Sequence, residues 1–199
     1  MSAYYNEIDA VAAQWLRNLI EAGHIAPGDV DERSITEVTA NDLRGYTQAH
    51  FFAGIGGWSL ALRLAGWPDS KPVWTGSCPC QPFSIAGKQT GASDERHLWP
   101  AFQRLIAQQK PTTVFGEQVA SKAGRLWLSA VRLDLEELGY ACGAADLPSI
   151  CVDSWQRRER LYWGATNTDS KQQHTVLDGS GKKRGGATSP AREVDFVDC

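Results

Sequence analysis

The sequence predicts an α/β domain built on a doubly wound, mostly parallel sheet, and two observations carry that expectation. Short apolar stretches suited to strands alternate along the chain with stretches of helical periodicity, the pattern of a parallel sheet covered by helices on both faces. At 199 residues and 42% hydrophobic content, the chain is long enough for one well-buried core and too short for two domains of ordinary size.

A first strand over 3–6 leads into DAVAAQWLRNLIEAG, where Ala12, Trp15, Leu16, Leu19 and Ile20 recur at helical spacing and Gly23 is placed to end the helix. GDV, Gly28 to Val30, marks the next strand end. QAHFFA (48–53) is a third strand, GIGG a sharp turn, and WSLALRLAG a helix closed by Gly66. Further strands are expected at 72–76, 112–116, 140–147 and 160–165, with helices over 98–109 and 121–138. These elements make residues 1–165 one domain. From Thr166 the chain turns rich in Gly, Ser, Thr and charge with hardly any apolar periodicity, so 166–199 is expected to be a disordered polar tail. The KKRGG within it could touch phosphates, or be a solvated linker.

A formal net charge of -3 excludes a wholesale polycation, while leaving room for a local basic groove. No signal peptide is recognisable and no apolar run approaches the ~18 residues of a membrane span, so a soluble, cytoplasmic protein without membrane contact is expected. Five irregularly spaced cysteines without an export signal suggest reduced thiols.

FAGIGG, Phe52 to Gly57, joins a strand to a helix, where glycines let the backbone approach a ligand and the helix N-terminus faces it. A tight turn needs glycine for geometry in any case. In doubly wound nucleotide-binding folds a carboxylate for the ribose hydroxyls lies ~20 residues further on, at the end of the next strand. Here that window holds CPCQ, and its only carboxylate is Asp69, in a loop. The N-terminus offers others: Glu7 ends a strand in YYNEID and Asp29 lies in GDV. NEID is equally well a strand-to-helix junction with Asp9 favoured near the helix start.

Cys78 and Cys80 flank Pro79, and three readings compete. A metal clip requires four ligands, and Cys142, Cys151 and the four histidines show no complementary spacing, so no metal is expected. A disulfide across one residue is strained. Burial of both thiols is the ordinary case. A cysteine at the C-terminal end of a strand in a parallel sheet, however, faces the ligand crevice.

CPCQPFS, followed by GKQTGASDER and VFGEQV, resembles the nucleophile loop, its extension and the glutamate strand of the DNA cytosine-5 methyltransferases. QRRER at 156–160 resembles their Q-x-R-x-R element, and HFFAGIGGWSLAL their opening glycine motif for S-adenosylmethionine. NEID and GDV resemble the second and third cofactor motifs, which in the usual order follow the glycine motif and here precede it. The resemblance implies the Rossmann-like fold of S-adenosylmethionine-dependent methyltransferases with a circularly rearranged cofactor half: motifs for ribose and adenine in 1–47, and the glycine motif through Q-x-R-x-R in 48–165.

It implies a thiolate, Cys80, that adds to carbon 6 of a cytosine flipped from double-stranded DNA, with Glu117 supporting the ring at nitrogen 3 and the exocyclic amine. Arg158 would hold the ring carbonyl, Arg160 would lie beside it and Gln156 would anchor the loop. Phe52, Gly54, Gly56, Gly57, Glu7, Asp29, Val30 and Pro79 would hold the cofactor; Gln81, Ser84, Lys88 and Arg96 would face DNA. Bland alternatives stand beside these roles: a capping serine, a solvated lysine, an Arg96–Asp94 pair, and a Glu117 carboxylate neutralised by Arg158. Two positions depart from the family pattern, Gln118 where asparagine is expected and His50 where an acidic residue precedes the glycine motif. The family's target-recognition region and final helical motif have no recognisable counterpart, an arrangement that resembles phage and prophage methylases. A truncated, non-catalytic remnant, a half-enzyme completed by a second polypeptide, and an RNA methyltransferase are the alternative expectations, in a bacterial or phage-infected cell.

Overall fold

The computed structural model describes residues 2–79 and 98–168. In chain order they form β1 (Ser2–Asn6), α1 (Ala10–Glu21), β2 (Gly28–Asp31), β3 (Tyr46–Phe51), α2 (Gly57–Leu64), β4 (Val73–Gly76), α3 (Trp99–Gln109), β5 (Thr113–Val119), α4 (Lys122–Glu137), β6 (Tyr140–Pro148) and β7 (Glu159–Asn167), with a 3₁₀ turn over Ser149–Val152. The strands make one sheet in the order β2-β1-β3-β4-β5-β7-β6. The first five run parallel. β7 runs antiparallel to both β5 and β6, because the ten residues 149–158 return the chain directly and no crossover helix intervenes.

Alternation along β1 sends neighbouring tyrosines to opposite faces. Tyr4 joins Phe51, Trp74, Phe102, Leu105, Val114, Trp127, Val131 and Trp163 in the larger core beneath α3 and α4. Tyr5 joins Ala3, Leu16, Ile25 and Ala26 beneath α1, and its hydroxyl meets Ser59 of α2 at 3.0 Å, so α1 and α2 share that second face. Asp9 caps α1 through Val11 N and Ala12 N, and Gly23 ends it at φ 72°. The helix turns differently from its sequence expectation: Ala13 and Leu16 are its buried positions, and Trp15 lies 51% exposed. Five apolar residues at i, i+3 and i+4 leave the stripe ambiguous by one position, and packing against Ile25 and Gly56 decides it.

β3 holds two buried polar side chains against that logic, Gln48 and His50. His50 is fully buried, bonded through Nδ1 to Thr75 Oγ1 at 2.8 Å and stacked on Tyr5 at 5.0 Å. Where the family has an acidic residue, this chain thus has an imidazole bonded to Thr75 and stacked on Tyr5. Its Nε2 has no partner, and burial pushes the imidazole down to about 3, from 6.5. The unfolded chain therefore binds a proton below pH 6.5 that the folded chain refuses until about pH 3. Stability is expected to be full above pH 6.5 and to fall toward pH 4 with a slope approaching about 1.4 kcal/mol per unit. Urea midpoints at successive pH values measure it, and His50→Asn should remove most of the slope between pH 6.5 and about 5, above the range where carboxylates titrate.

Candidate active site at the carboxyl ends of the parallel strands

Open parallel sheets bind ligands outside the carboxyl ends of their strands, and here those ends gather the groups singled out in the sequence. β1 ends at Asn6, and the next residue, Glu7, accepts from Gly54 N at 2.7 Å through Oε2 and from Asp9 N at 3.0 Å through Oε1. A carboxylate from before α1 thus fastens the turn after β3, 47 residues later. Asn6 completes the junction: its carbonyl takes Ala53 N at 3.1 Å and its amide reaches the carbonyls of Asp31 and Arg33 at 3.2 and 2.8 Å.

The turn is conformationally demanding. Phe52, Gly54 and Gly56 have φ of 53°, 53° and 78°. For Phe52 the left-handed conformation costs about 1–3 kcal/mol, a strain of the kind stored at ligand sites. A Cβ on Gly56 would come within 3.2 Å of Leu16 and 3.3 Å of Ile25, a tight fit that adds to the preference for glycine set by φ. Gly57 opens α2. The result is a backbone cradle with one carboxylate at its rim.

On the neighbouring strand, Asp29 and Val30 border an open polar cleft of about 390 Å³ shared with Asp31, Arg33, Asp42 and Tyr46. Asp29 is exposed and accepts from the Tyr46 hydroxyl at 2.7 Å. Asp31, two residues on and on the same face, stands at the carboxyl end of β2. Burial would raise its carboxyl, but Arg33 at 2.6 Å and the Tyr4 hydroxyl at 2.6 Å outweigh it and hold it at about 2. Sequence reading passed over Asp31; its parity with Asp29 in GDVD is the signal that was available. Asp69, the lone carboxylate after the glycine turn, is taken by a bidentate Arg63 at 3.0 and 2.6 Å.

β4 carries the cysteine segment. Cys78 is buried and burial pushes its thiol up, so it is a packed, protonated side chain. Pro79 is exposed and is the last residue described before the gap. Cys80, Gln81, Ser84, Lys88 and Arg96 lie outside the described residues. Two bonds fix where β4 delivers the chain: Trp58 Nε1 of α2 donates to Ser77 Oγ at 3.0 Å, and Gln118 Nε2 of β5 donates to the Cys78 carbonyl at 3.3 Å. Gln118, where the family has asparagine, thus ties the cysteine strand to the glutamate strand and also accepts from Val119 N at 2.8 Å.

Glu117 is paired with Arg160, both side chains at most a quarter exposed. In the structural alternative for Glu117 the neutralising arginine is thus Arg160 and not Arg158. Arg160 lies within β7, opposite Val119, whereas Arg158 precedes the strand, is exposed, and is held through its backbone by Ser149. Gln156 is also exposed; its carbonyl accepts from Ser149 Oγ. Among the described residues no group of three or more His, Cys, Asp or Glu is arranged to hold a metal ion, and no helix is long and apolar enough to cross a membrane.

Comparison with known proteins adds a lineage to this geometry. The sequence pattern of the C-5 cytosine-specific DNA methylases matches residues 67–190. The chain is 30% identical over 166 residues to the type II methyltransferase M.HhaI of Haemophilus parahaemolyticus, covering 63% of this chain and 50% of that one. It is 30% identical over 176 residues to M.PspPI of a Psychrobacter strain, covering 67% and 42%. The chain therefore spans about half the length of these relatives. Its backbone superimposes on a DNMT2 mutant from Spodoptera frugiperda with a TM-score of 0.52 at 17% identity, over 98% of this chain and 49% of the other.

Proposed function

The chain belongs to the C-5 cytosine-specific DNA methylase family, and from that premise we propose that it moves a methyl group from S-adenosylmethionine to carbon 5 of a cytosine flipped out of double-stranded DNA, through a covalent adduct with Cys80. The observation that carries the proposal is the Gln118–Cys78 bond, which sets the exit of the cysteine strand beside the strand bearing Glu117. Two residues beyond Cys78, a thiolate would then share a crevice with that carboxylate.

Cytosine carbon 5 is a poor nucleophile, and a thiolate makes it a good one. Cys80 sulfur bonds to carbon 6, and the ring's electron pair moves toward carbon 5. Glu117, oriented by Arg160, accepts from the exocyclic amine and, carrying a proton, donates to ring nitrogen 3, where negative charge accumulates during that addition. Arg158 holds the carbonyl oxygen. Once carbon 5 carries the methyl, loss of its proton to a solvent base returns the pair, breaks the carbon–sulfur bond and releases Cys80.

When bound, S-adenosylmethionine would supply the electrophilic methyl that carbon 5 takes up, its sulfur–methyl bond breaking to leave a neutral thioether. The residues present suit it: the Phe52–Gly57 turn approaches a ligand with backbone alone, and each Glu7 oxygen accepts one N–H and keeps a lone pair for a ribose hydroxyl. Asp29 and Val30 stand on the adenine side, and Pro79 closes the reacting end. Glu7→Ala is expected to weaken cofactor binding about tenfold, the worth of a charge-assisted hydrogen bond. Calorimetry checks it, and an unchanged affinity would discard the role given to Glu7. For the reaction itself, DNA incubated with the chain and methyl-labelled cofactor should yield 5-methylcytosine on digestion; label on any other base, or none, counts against the proposal.

A further inference from the structure

The loop between β6 and β7 emerges at the same end of the sheet as Glu117, because Arg160, at its close, sits opposite Val119. It carries three apolar side chains into solvent: Ile150 at 56%, Val152 at 76% and Trp155 at 89% exposure. An indole left in water forgoes the stabilisation that burial gives, so a cluster of this kind marks a contact surface. Nor is the tip slack. Ser149 N donates to the Arg158 carbonyl at 2.9 Å, Arg158 N to Ser149 Oγ at 3.2 Å, and Ser154 N to the Ser149 carbonyl at 3.2 Å. Gln156 N donates to Ser154 Oγ at 3.3 Å. The network holds the loop with Trp155 outward, and among the described residues no ring or hydrogen-bond acceptor engages its indole.

The chemistry beside it narrows the partner. Arg157 is 80% exposed, steadied by Glu159 at 3.0 Å, and Arg158 is exposed alongside. Asp153 is the acid of the loop, and Glu159 opens β7 beside it. A flat apolar ring flanked by guanidinium groups suits a polyanion that also presents flat faces, which is nucleic acid. We infer that this tip is a DNA contact, in which Trp155 stacks on a base adjoining the extruded cytosine and Arg157 faces a phosphate. This rests on the methyltransferase reading, since extrusion of the target is what exposes a neighbouring base face.

The test uses the full chain and a short duplex with one mispaired cytosine, 2-aminopurine as its neighbour and a terminal dye for anisotropy. Wild type should bind and quench the 2-aminopurine. Trp155→Ala should keep its thermal midpoint, lose the quenching and bind on the order of tenfold more weakly, while Trp155→Phe stays within about threefold. The salt slope should be unchanged in Trp155→Ala and smaller by about one in Arg157→Ala. If Trp155→Ala binds and quenches as wild type does, the stacking role is overturned and the methyltransferase reading stands. If wild type binds no duplex and the tip instead mediates protein association, the DNA reading falls with it.

Discussion

Gly116→Ala is expected to destabilise the domain by about 3 kcal/mol, the upper range for overpacking a closed core, and to lower its thermal midpoint by roughly 10 °C. A Cβ on Gly116 would lie 2.3 Å from the Trp163 indole and 2.6 Å from the Gly76 carbonyl. Neither obstacle can yield cheaply. The Gly76 carbonyl belongs to β4, the strand paired with β5, and Trp163 is 4% exposed with its ring against Trp99 at 6.2 Å. The substitution therefore forces β4 and β5 apart one residue before Glu117, so activity should fall with stability. Gly143→Ala is the control, because a Cβ there meets nothing within 4 Å, and its midpoint should stay near that of wild type. Thermal unfolding of the two variants side by side decides the matter.

Methyl transfer is expected to fall by about 10²–10³-fold in Glu117→Ala, the range seen when one preorganised partner of a developing charge is removed. The geometry makes this more than a lost contact. Arg160 would keep its guanidinium, 18% exposed, without the carboxylate that faces it, and ring nitrogen 3 would lose the group that hydrogen-bonds it as negative charge develops there. Glu117→Gln keeps the shape, an oxygen to accept from the amine and an amide N–H to donate to nitrogen 3, but has no proton to give up, so it should retain more activity than alanine and less than wild type. Single-turnover rates with saturating DNA separate this from a binding effect. A Glu117→Ala chain that transfers methyl groups at the wild-type rate would remove Glu117 from the chemistry.

Much of this arrangement was legible in the chain. Strand and helix positions followed from periodicity and glycine punctuation, down to Gly23 and Gly66 closing their helices. The early placing of YYNEID and GDV gave the strand neighbourhood: β1 and β2 precede β3 in sequence and stand on its outer side in the sheet. What periodicity does not encode is direction, so the antiparallel pairing of β7 was not foreseen. The same limit leaves the partner of Glu117 open between two arginines. Arg158 and Arg160 are equivalent as letters in Q-x-R-x-R, and only the start of β7 at Glu159 puts one on the strand and the other outside it. Gln118 read as a departure from the family pattern; its bond to the Cys78 carbonyl depends on two strands 40 residues apart lying adjacent, which no local signal reports. Trp15 shows the reverse case, an aromatic at helical spacing that tertiary packing left in solvent.

Covalent capture addresses the central claim most directly. In duplex DNA bearing 5-fluorocytosine, the carbon 5 proton is replaced by fluorine, which cannot leave as a cation, so the adduct formed by Cys80 persists after methyl transfer. The account predicts a denaturant-stable complex that requires S-adenosylmethionine, forms on a pool of mixed sequences, and is absent in Cys80→Ser. A folded chain that binds the pool and cofactor yet gives no adduct, or an adduct that survives Cys80→Ser, would contradict it.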